Sequence, residues 1–295
     1  MSSGAVPWED TSRRFARERE FVRRFSRRPA GVISLFIILI VLFAAIFTNV
    51  AATHDPIFTD FDALFSGPSG AHWLGTDNLG RDTYSRIVHG ARTALLVGVI
   101  SVGIGVSIGM PYGMLAGYLG GWKDEVMMRV MDAIYAFPAL LLALIIIAVL
   151  GTGIFNVMIA IGVVFIPGLA RLVRGSTLSV KEMEYVLAAE SSGASTWRII
   201  LQHIAPNILA PVIVQGSLAI GFAIIAEAGL SFLGLGTQPP DPSWGSMLSG
   251  AQRFLTSQGS LAIFPGLAIV LTVLAFNLLG DTLRDLLDPR LRGSD

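Results

Sequence analysis

The sequence predicts an all-α polytopic membrane protein with six transmembrane helices, and three observations carry that prediction. Of its 295 residues, 53% are hydrophobic and 14% charged, far from the balance of a water-soluble domain. The apolar residues gather into uncharged runs of about 20, the number a helix needs to cross a hydrocarbon core roughly 30 Å thick. Lys and Arg crowd onto alternate connections between those runs, as they do in chains oriented in a bilayer. The formal net charge of zero gives no argument for nucleic acid or any other polyanion as a partner. The absence of cysteine excludes disulfides, thiolate nucleophiles and sulfur-ligated zinc. Four scattered histidines remain, and no metal ligand is assigned among them.

Taken in order, residues 1–30 form a basic segment, followed by a first span over 31–53 that contains the run "GVISLFIILIVLFAAIFTNVAA" from Gly31. An arginine-rich leader before an apolar run also fits a secretory signal peptide. The length of this run, and the lack of a small-residue cleavage site before "THDP", favour a retained anchor. Residues 54–93 form an outer segment. A core over 94–280 then carries five spans, beginning near Ala94, near Phe137, at Ile154, near Ile208 and at Leu261. Residues 281–295 form a tail whose charges alternate with leucines, as on an amphipathic helix at the inner face.

Orientation follows from the cations. With the N-terminus inside, Arg13, Arg14, Arg17, Arg19, Arg23, Arg24, Arg27 and Arg28 are cytoplasmic, and so are Lys123, Arg129, Arg171, Arg174, Lys181, Arg198, Arg284, Arg290 and Arg292. Arg81, Arg86, Arg92 and Arg253 are left outside. Both termini and the polar connection over 175–206 are therefore expected in the cytoplasm.

Within that connection, "EYVLAAESSGASTWRIILQHIAPN" runs from Glu184 to Asn207 between two membrane spans. Ala188 and Ala189 favour helix, Glu184 and Glu190 keep it soluble, and Gly193 permits a close turn or a C-terminal cap. Ser195 can start a second short helix as its N-cap, and Pro206 marks the entry to span five. The physical reading is a helix-turn-helix elbow; the bland one is an ordinary solvated loop.

This stretch resembles the EAA loop of ATP-binding-cassette (ABC) importer permeases, in which Glu-Ala-Ala is followed by three residues, Gly, nine residues and Ile-x-Leu-Pro. Ala188, Ala189, Gly193 and Pro206 match at the right spacing. Leu187 stands where the glutamate should be, and His203 and Ala205 replace the usual Ile and Leu. Four further motifs, "HWLGTDNLGRDTYSRIVHGAR", "MRVMDAIYAFPALLLAL", "LSFLGLGTQPPDPSWGSML" and "FPGLAIVLTVLAFNLLGDTLRDLLDPRL", resemble the C-type permease subunit of dipeptide and oligopeptide importers. That subfamily also includes permeases for nickel, glutathione and opines.

The resemblance implies a type I ABC importer permease fold in the bacterial inner membrane and a mechanical role. The elbow is then the coupling helix, seated in a groove of an ATPase subunit. The implied partners are a homologous second permease, two cytoplasmic ATPases that bind ATP and magnesium, an extracytoplasmic substrate-binding protein and the lipid bilayer. Small peptides are the expected cargo, with glutathione, nickel or opines as the alternative. The permease itself needs no cofactor.

Other features are weighed on their own residues. Gly105, Gly109, Gly113 and Gly117 recur every fourth residue, a stripe read as close helix packing in preference to substrate contact; whether the partner is another span of this chain or the second permease is not readable. Pro111, Pro167 and Pro265 fall in or near spans, where each can kink a helix. Glu227 is a carboxylate in an apolar segment and so a candidate for the pathway or a gate, although its place near the outer end of span five favours a solvated, interfacial position. Trp244, after Pro239, Pro240 and Pro242, suits a stiff outer loop at the membrane–water boundary; the resemblance implies that such a loop closes the mouth of the pathway or meets the binding protein, and a simple surface loop is the bland reading.

No phosphate-binding Gly-Lys-Ser/Thr loop occurs, and the two lysines, Lys123 and Lys181, stand in other contexts. "GVSIG", Gly105 to Gly109, fits the Gly-x-Ser-x-Gly pattern of hydrolases around Ser107, but in mid-span rather than on a strand-to-helix elbow. An intramembrane serine protease would need a histidine base in that layer; His54, His72 and His89 are expected outside and His203 inside. A passive channel would need no coupling elbow. No catalytic residue is assigned.

Overall fold

The computed structural model describes residues 19–20 and 22–287. The arginines at 13, 14, 17, 290 and 292 lie outside the described residues, as does most of the basic leader. Among the described residues every regular element is helical, and five helices are long and apolar enough to cross a membrane, or six when one bent pair counts as a span. We label them α1 (Pro29–Ile46), α2 (Thr48–Ala51), α3 (Thr83–Leu119), α4 (Gly121–Tyr135), α5 (Ala139–Leu150), α6 (Ile154–Lys181), α7 (Glu184–Ser191), α8 (Thr196–Arg198), α9 (Ala205–Phe232), α10 (Trp244–Ala251) and α11 (Ser260–Leu287).

The helix that carries the second span starts at Thr83, ahead of the apolar run expected from near Ala94. Asp82 supplies the reason: its side chain accepts from the Ser85 amide and caps the helix. Burial alone would raise the Asp82 carboxyl. The Ser85 amide and hydroxyl and the His72 ring outweigh that, holding it below the ordinary aspartate value. At 37 residues α3 is about 55 Å long, well beyond the hydrocarbon core, so its first turns stand outside it.

The third span is not the straight crossing the sequence suggests. Pro138 sits in extended backbone and divides it into α4 and α5, whose axes differ by 84°. With 12 residues α5 reaches only about 18 Å, too short to cross alone. Pro111, Pro167 and Pro265, the kink candidates, instead lie inside continuous helices.

The register of α3 against α6 settles what the bent pair does. A Cβ on Gly105 would meet Phe165, on Gly109 the Ile166 carbonyl, on Gly113 the Ala170 carbonyl at 2.3 Å and on Gly117 the Arg174 carbonyl at 2.9 Å. Both numberings rise together, so α3 and α6 are parallel and residues 121–150 must carry the chain back between them. The same contacts answer the question left open about the glycine stripe. Its partner is α6 of the same chain, approached backbone to backbone. Asp124 on α4 accepts both Arg174 Nε and Nη2 at 2.6 Å, and Asp132 accepts from Arg171 at 2.9 Å, which ties the returning pair to α6.

Helix α11 runs antiparallel to α9, since Gly280 faces Ser217 and Leu218 while Gly221 faces Val273 and Asn277. The start of α1 meets the end of α11 where Arg28 pairs with Asp285 and Gly31 touches Thr282. The described ends of the chain therefore lie on one side. Residues 281–287 continue α11 and form no separate tail helix; the rest of the tail is outside the described residues.

Candidate functional site

The elbow is built by local chemistry. Met183, in extended backbone, turns the chain from α6 into α7. Helix α7 is closed by a Schellman motif: Gly193, at φ +78°, donates to the Glu190 carbonyl at 2.9 Å, and Ala194 donates to Ala189 at 3.1 Å. Nothing lies within 4 Å of the space a Gly193 side chain would fill, so the backbone angle alone asks for glycine.

Ser195 takes the N-cap position expected of it, but its side chain makes no capping bond. The second helix is not separate from span five either. It passes through a π-helical turn over Ile199–Ile204 into α9, one helical run of 37 residues from Thr196 to Phe232. Pro206 explains the turn. It has no amide to give to Gln202, and the chain just before it takes the wider register, with the Ala205 amide bonding back to the Ile200 carbonyl.

One face of the elbow is core. Val186, Ile199, Ile200, Ile204 and Ile208 are each 1% exposed or less and pack with Met114, Tyr118, Val173 and Val212. Each such side chain contributes about 1.5–3 kcal/mol by leaving water. The Lys181 ammonium donates to the Tyr118 carbonyl at 2.7 Å and lies 5.1 Å from the Tyr118 ring, joining the ends of α6 and α3 beneath the elbow.

The other face has no partner among the described residues. Glu184, Leu187, Ala188, Glu190, Gly193 and Pro206 are exposed and Ala189 is half-buried. Between them Met183, Tyr185, Leu187, Trp197 and Leu201 also stand in the open, Trp197 at 61%. Sequence reading missed Tyr185 and Trp197, although aromatic residues inside a polar connection are a usable signal for a docking face.

The residues at the opposite end of the bundle behave otherwise. Glu227 is not at a solvated interface: it is 1% exposed, and its carboxylate accepts the Ser231 hydroxyl at 2.6 Å. Ser231 in turn accepts the Thr237 amide at 3.1 Å. Trp244 is not on an exposed loop surface either. It is 2% exposed, lies against Gly90, and donates from Nε1 to the Ile87 carbonyl at 3.0 Å. It opens α10, a helix where a loop was expected, behind a capping box in which Ser243 and Ser246 each receive the other's amide. Gly245 lets α10 lie on α9, since a Cβ there would fall 2.3 Å from the Ala228 carbonyl.

Ser107 has an exposed hydroxyl that donates to the Ile104 carbonyl of its own helix. No histidine is bonded to it. An open cavity at the elbow end is lined by Leu172, Val214, Gln215, Leu218, Arg284 and Leu287.

Comparison with known proteins agrees with this geometry. Residues 109–293 match the family model described as the binding-protein-dependent transport system inner membrane component, and residues 18–68 match the N-terminal transmembrane domain of oligopeptide transport permease C. The glutathione transport system permease protein GsiD of Pectobacterium atrosepticum is 48% identical over 275 residues, covering 93% of this chain and 91% of that one. Its counterpart from Shigella flexneri serotype 5b is 50% identical over the same shares. Among solved structures, a chain of the MetNI methionine ABC transporter in an inward-facing conformation aligns with a TM-score of 0.56 at 16% identity, covering 69% of this chain and 97% of that one. That likeness speaks to the fold.

Proposed function

This chain belongs to the family of binding-protein-dependent transport-system inner-membrane components, and from that premise we propose that it passes short peptides, with glutathione the first to test, across the bacterial inner membrane. It is a multi-pass permease subunit of an ABC importer. The observation that carries the cargo reading is the 48–50% identity, across 93% of the chain, to permeases named for glutathione, itself a tripeptide.

In this reading the elbow is the coupling helix. Its half-buried construction, a core face and an apolar outer face, suits a part that must move with the bundle while docked to an ATPase. Closure of two ATPase subunits on ATP displaces the elbow, and the helical run from Thr196 carries that displacement into span five. A homologous second permease completes the pathway and an extracytoplasmic protein delivers the cargo. The chain itself carries no catalytic group, and ATP with its magnesium belongs to the ATPases. Arg28, Arg171, Arg174, Lys181, Arg198 and Arg284 belong to the elbow end and Arg81, Arg86, Arg92 and Arg253 to the other, so the elbow end is cytoplasmic together with both termini.

The experiment is reconstitution of the complete importer in vesicles with its binding protein, measuring ATP-dependent uptake of labelled glutathione beside a dipeptide. Uptake of either that competes with the other supports the peptide reading. No uptake of either, with hydrolysis still stimulated by the loaded binding protein, would leave the importer class standing and remove the peptide cargo. Hydrolysis indifferent to that protein would remove the coupling mechanism, since both ligands must bias one two-state element.

A further inference from the structure

Outside the elbow and the span network, the described residues contain one group of three or more potential metal ligands: His54, His72 and Asp82. The chain separates them widely. His54 follows the short helix α2, His72 lies in the long connection after it, and Asp82 caps α3. The fold brings their ligand atoms within 4.8 Å of one another.

The two oxygens of Asp82 have different tasks. Oδ2 accepts the Ser85 amide at 2.8 Å and the Thr53 hydroxyl at 3.3 Å, which fixes the carboxylate and caps the helix. Oδ1 faces both imidazoles, 2.9 Å from His72 Nδ1 and 3.9 Å from His54 Nδ1. The longer separation is no hydrogen bond, yet the His54 ring is held there, 4.7 Å from the His72 ring between centroids. Its backbone is pinned, because the amides of Thr53 and His54 both donate to the Ser85 hydroxyl at 3.2 and 2.9 Å. The His72 amide is likewise held by Ser69 at 3.0 Å. These backbone bonds hold both histidines beside Asp82, and His54 Nδ1 also lies 3.0 Å from the Thr53 hydroxyl.

We propose that His54, His72 and Asp82 bind one divalent transition-metal ion of the zinc class, as a resident ion rather than as cargo, at the end of the bundle remote from the elbow. Metal–nitrogen and metal–oxygen bonds of about 2.0–2.2 Å at tetrahedral angles set ligand atoms roughly 3.3–3.5 Å apart. The observed 2.9 and 3.9 Å bracket that spacing, so small ring movements complete it. Two imidazoles and a carboxylate are donors that zinc accepts, and a fourth position stays open to water. The site has a wet side for entry, since the Asp82 side chain is 1% exposed but that of His54 is 40% exposed beside a cavity lined by Asn49, His89 and Asp241. A bound ion would staple the end of the first span and the outer connection to the start of α3.

The test uses the whole importer, purified in detergent without an affinity tag. Metal content after equilibration with zinc and gel filtration, and visible absorption after titration with cobalt, are compared for wild type, His54→Ala, His72→Ala and, as a neighbouring control, His89→Ala. Expected are one zinc per permease chain, tetrahedral cobalt bands in wild type and the control, at least about tenfold weaker binding in the two ligand variants, and a zinc-dependent rise in wild-type melting temperature that magnesium does not give. The His54 side chain is the more exposed of the two, 40% against 18% for His72, so its variant keeps the fold if His72→Ala does not. Wild type that binds no zinc, or zinc retained equally in both ligand variants, overturns the proposal and leaves a hydrogen-bonded His–Asp cap.

Discussion

The two ends of the helical bundle are finished to different degrees. At the outer end the notable side chains have partners inside the chain: Glu227 with Ser231, Trp244 with Ile87, and Ser243 with Ser246. At the elbow end one layer is equally complete, with Val186 and Ile199 at 0% exposure, while the layer above it leaves Tyr185, Leu187 and Trp197 in water. A chain that can bury Trp244 to 2% and leaves Trp197 at 61% is not short of packing solutions. The difference supports the proposal that another subunit covers the elbow, while Glu227 and Trp244 are held within the bundle.

That contrast can be broken experimentally, and the largest effect belongs to the seam between α3 and α6 that supports both ends. Gly113→Val places a side chain 2.3 Å from the Ala170 carbonyl, so at least about 3 kcal/mol is expected to be lost. Fluorescence-detected gel filtration should show little monodisperse protein; a normal profile would mean the helices can part at no cost.

Trp244→Ala comes next, at about 3–5 kcal/mol, through the cavity it opens and the orphaned Ile87 carbonyl. A melting temperature in detergent unchanged from wild type would show that Trp244 does not hold the outer end together. Gly193→Ala costs about 1 kcal/mol, because only the positive φ resists it. Thermal melting should register that small loss, and a drop as large as that of Trp244→Ala would mean the elbow carries the bundle.

The smallest effect on folding sharpens the comparison most. Trp197→Ala should change stability by less than about 0.5 kcal/mol, as exposed substitutions do. The same change should weaken ATPase association by about tenfold or more, measured by pull-down or by the ATPase concentration needed for uptake. Intact association would detach the exposed apolar layer from docking.

Much of this was legible from the sequence, for identifiable reasons. Spans one, two, four, five and six announce themselves because lipid demands uninterrupted apolar runs. The Schellman close at Gly193 was legible because its requirement is local. The break at Pro138 was written in the sequence too, but inside a run apolar enough to mask it, while attention went to Pro111, Pro167 and Pro265, which neighbouring helices tolerate. The burial of Glu227 and Trp244 was not legible. It depends on α10 folding back onto α9 at Gly245, a contact no residue announces. His54, His72 and Asp82 escaped notice for the same reason, since neither short spacing nor shared periodicity connects them.

The π turn over Ile199–Ile204 has a mechanical meaning beyond accommodating Pro206. The elbow and the Glu227 network share one unbroken helical run of 37 residues, about 55 Å from end to end, with no loop to absorb a push. A displacement applied at Thr196 enters this run through the wide turn and past Pro211, the two places where the regular hydrogen-bond ladder is interrupted.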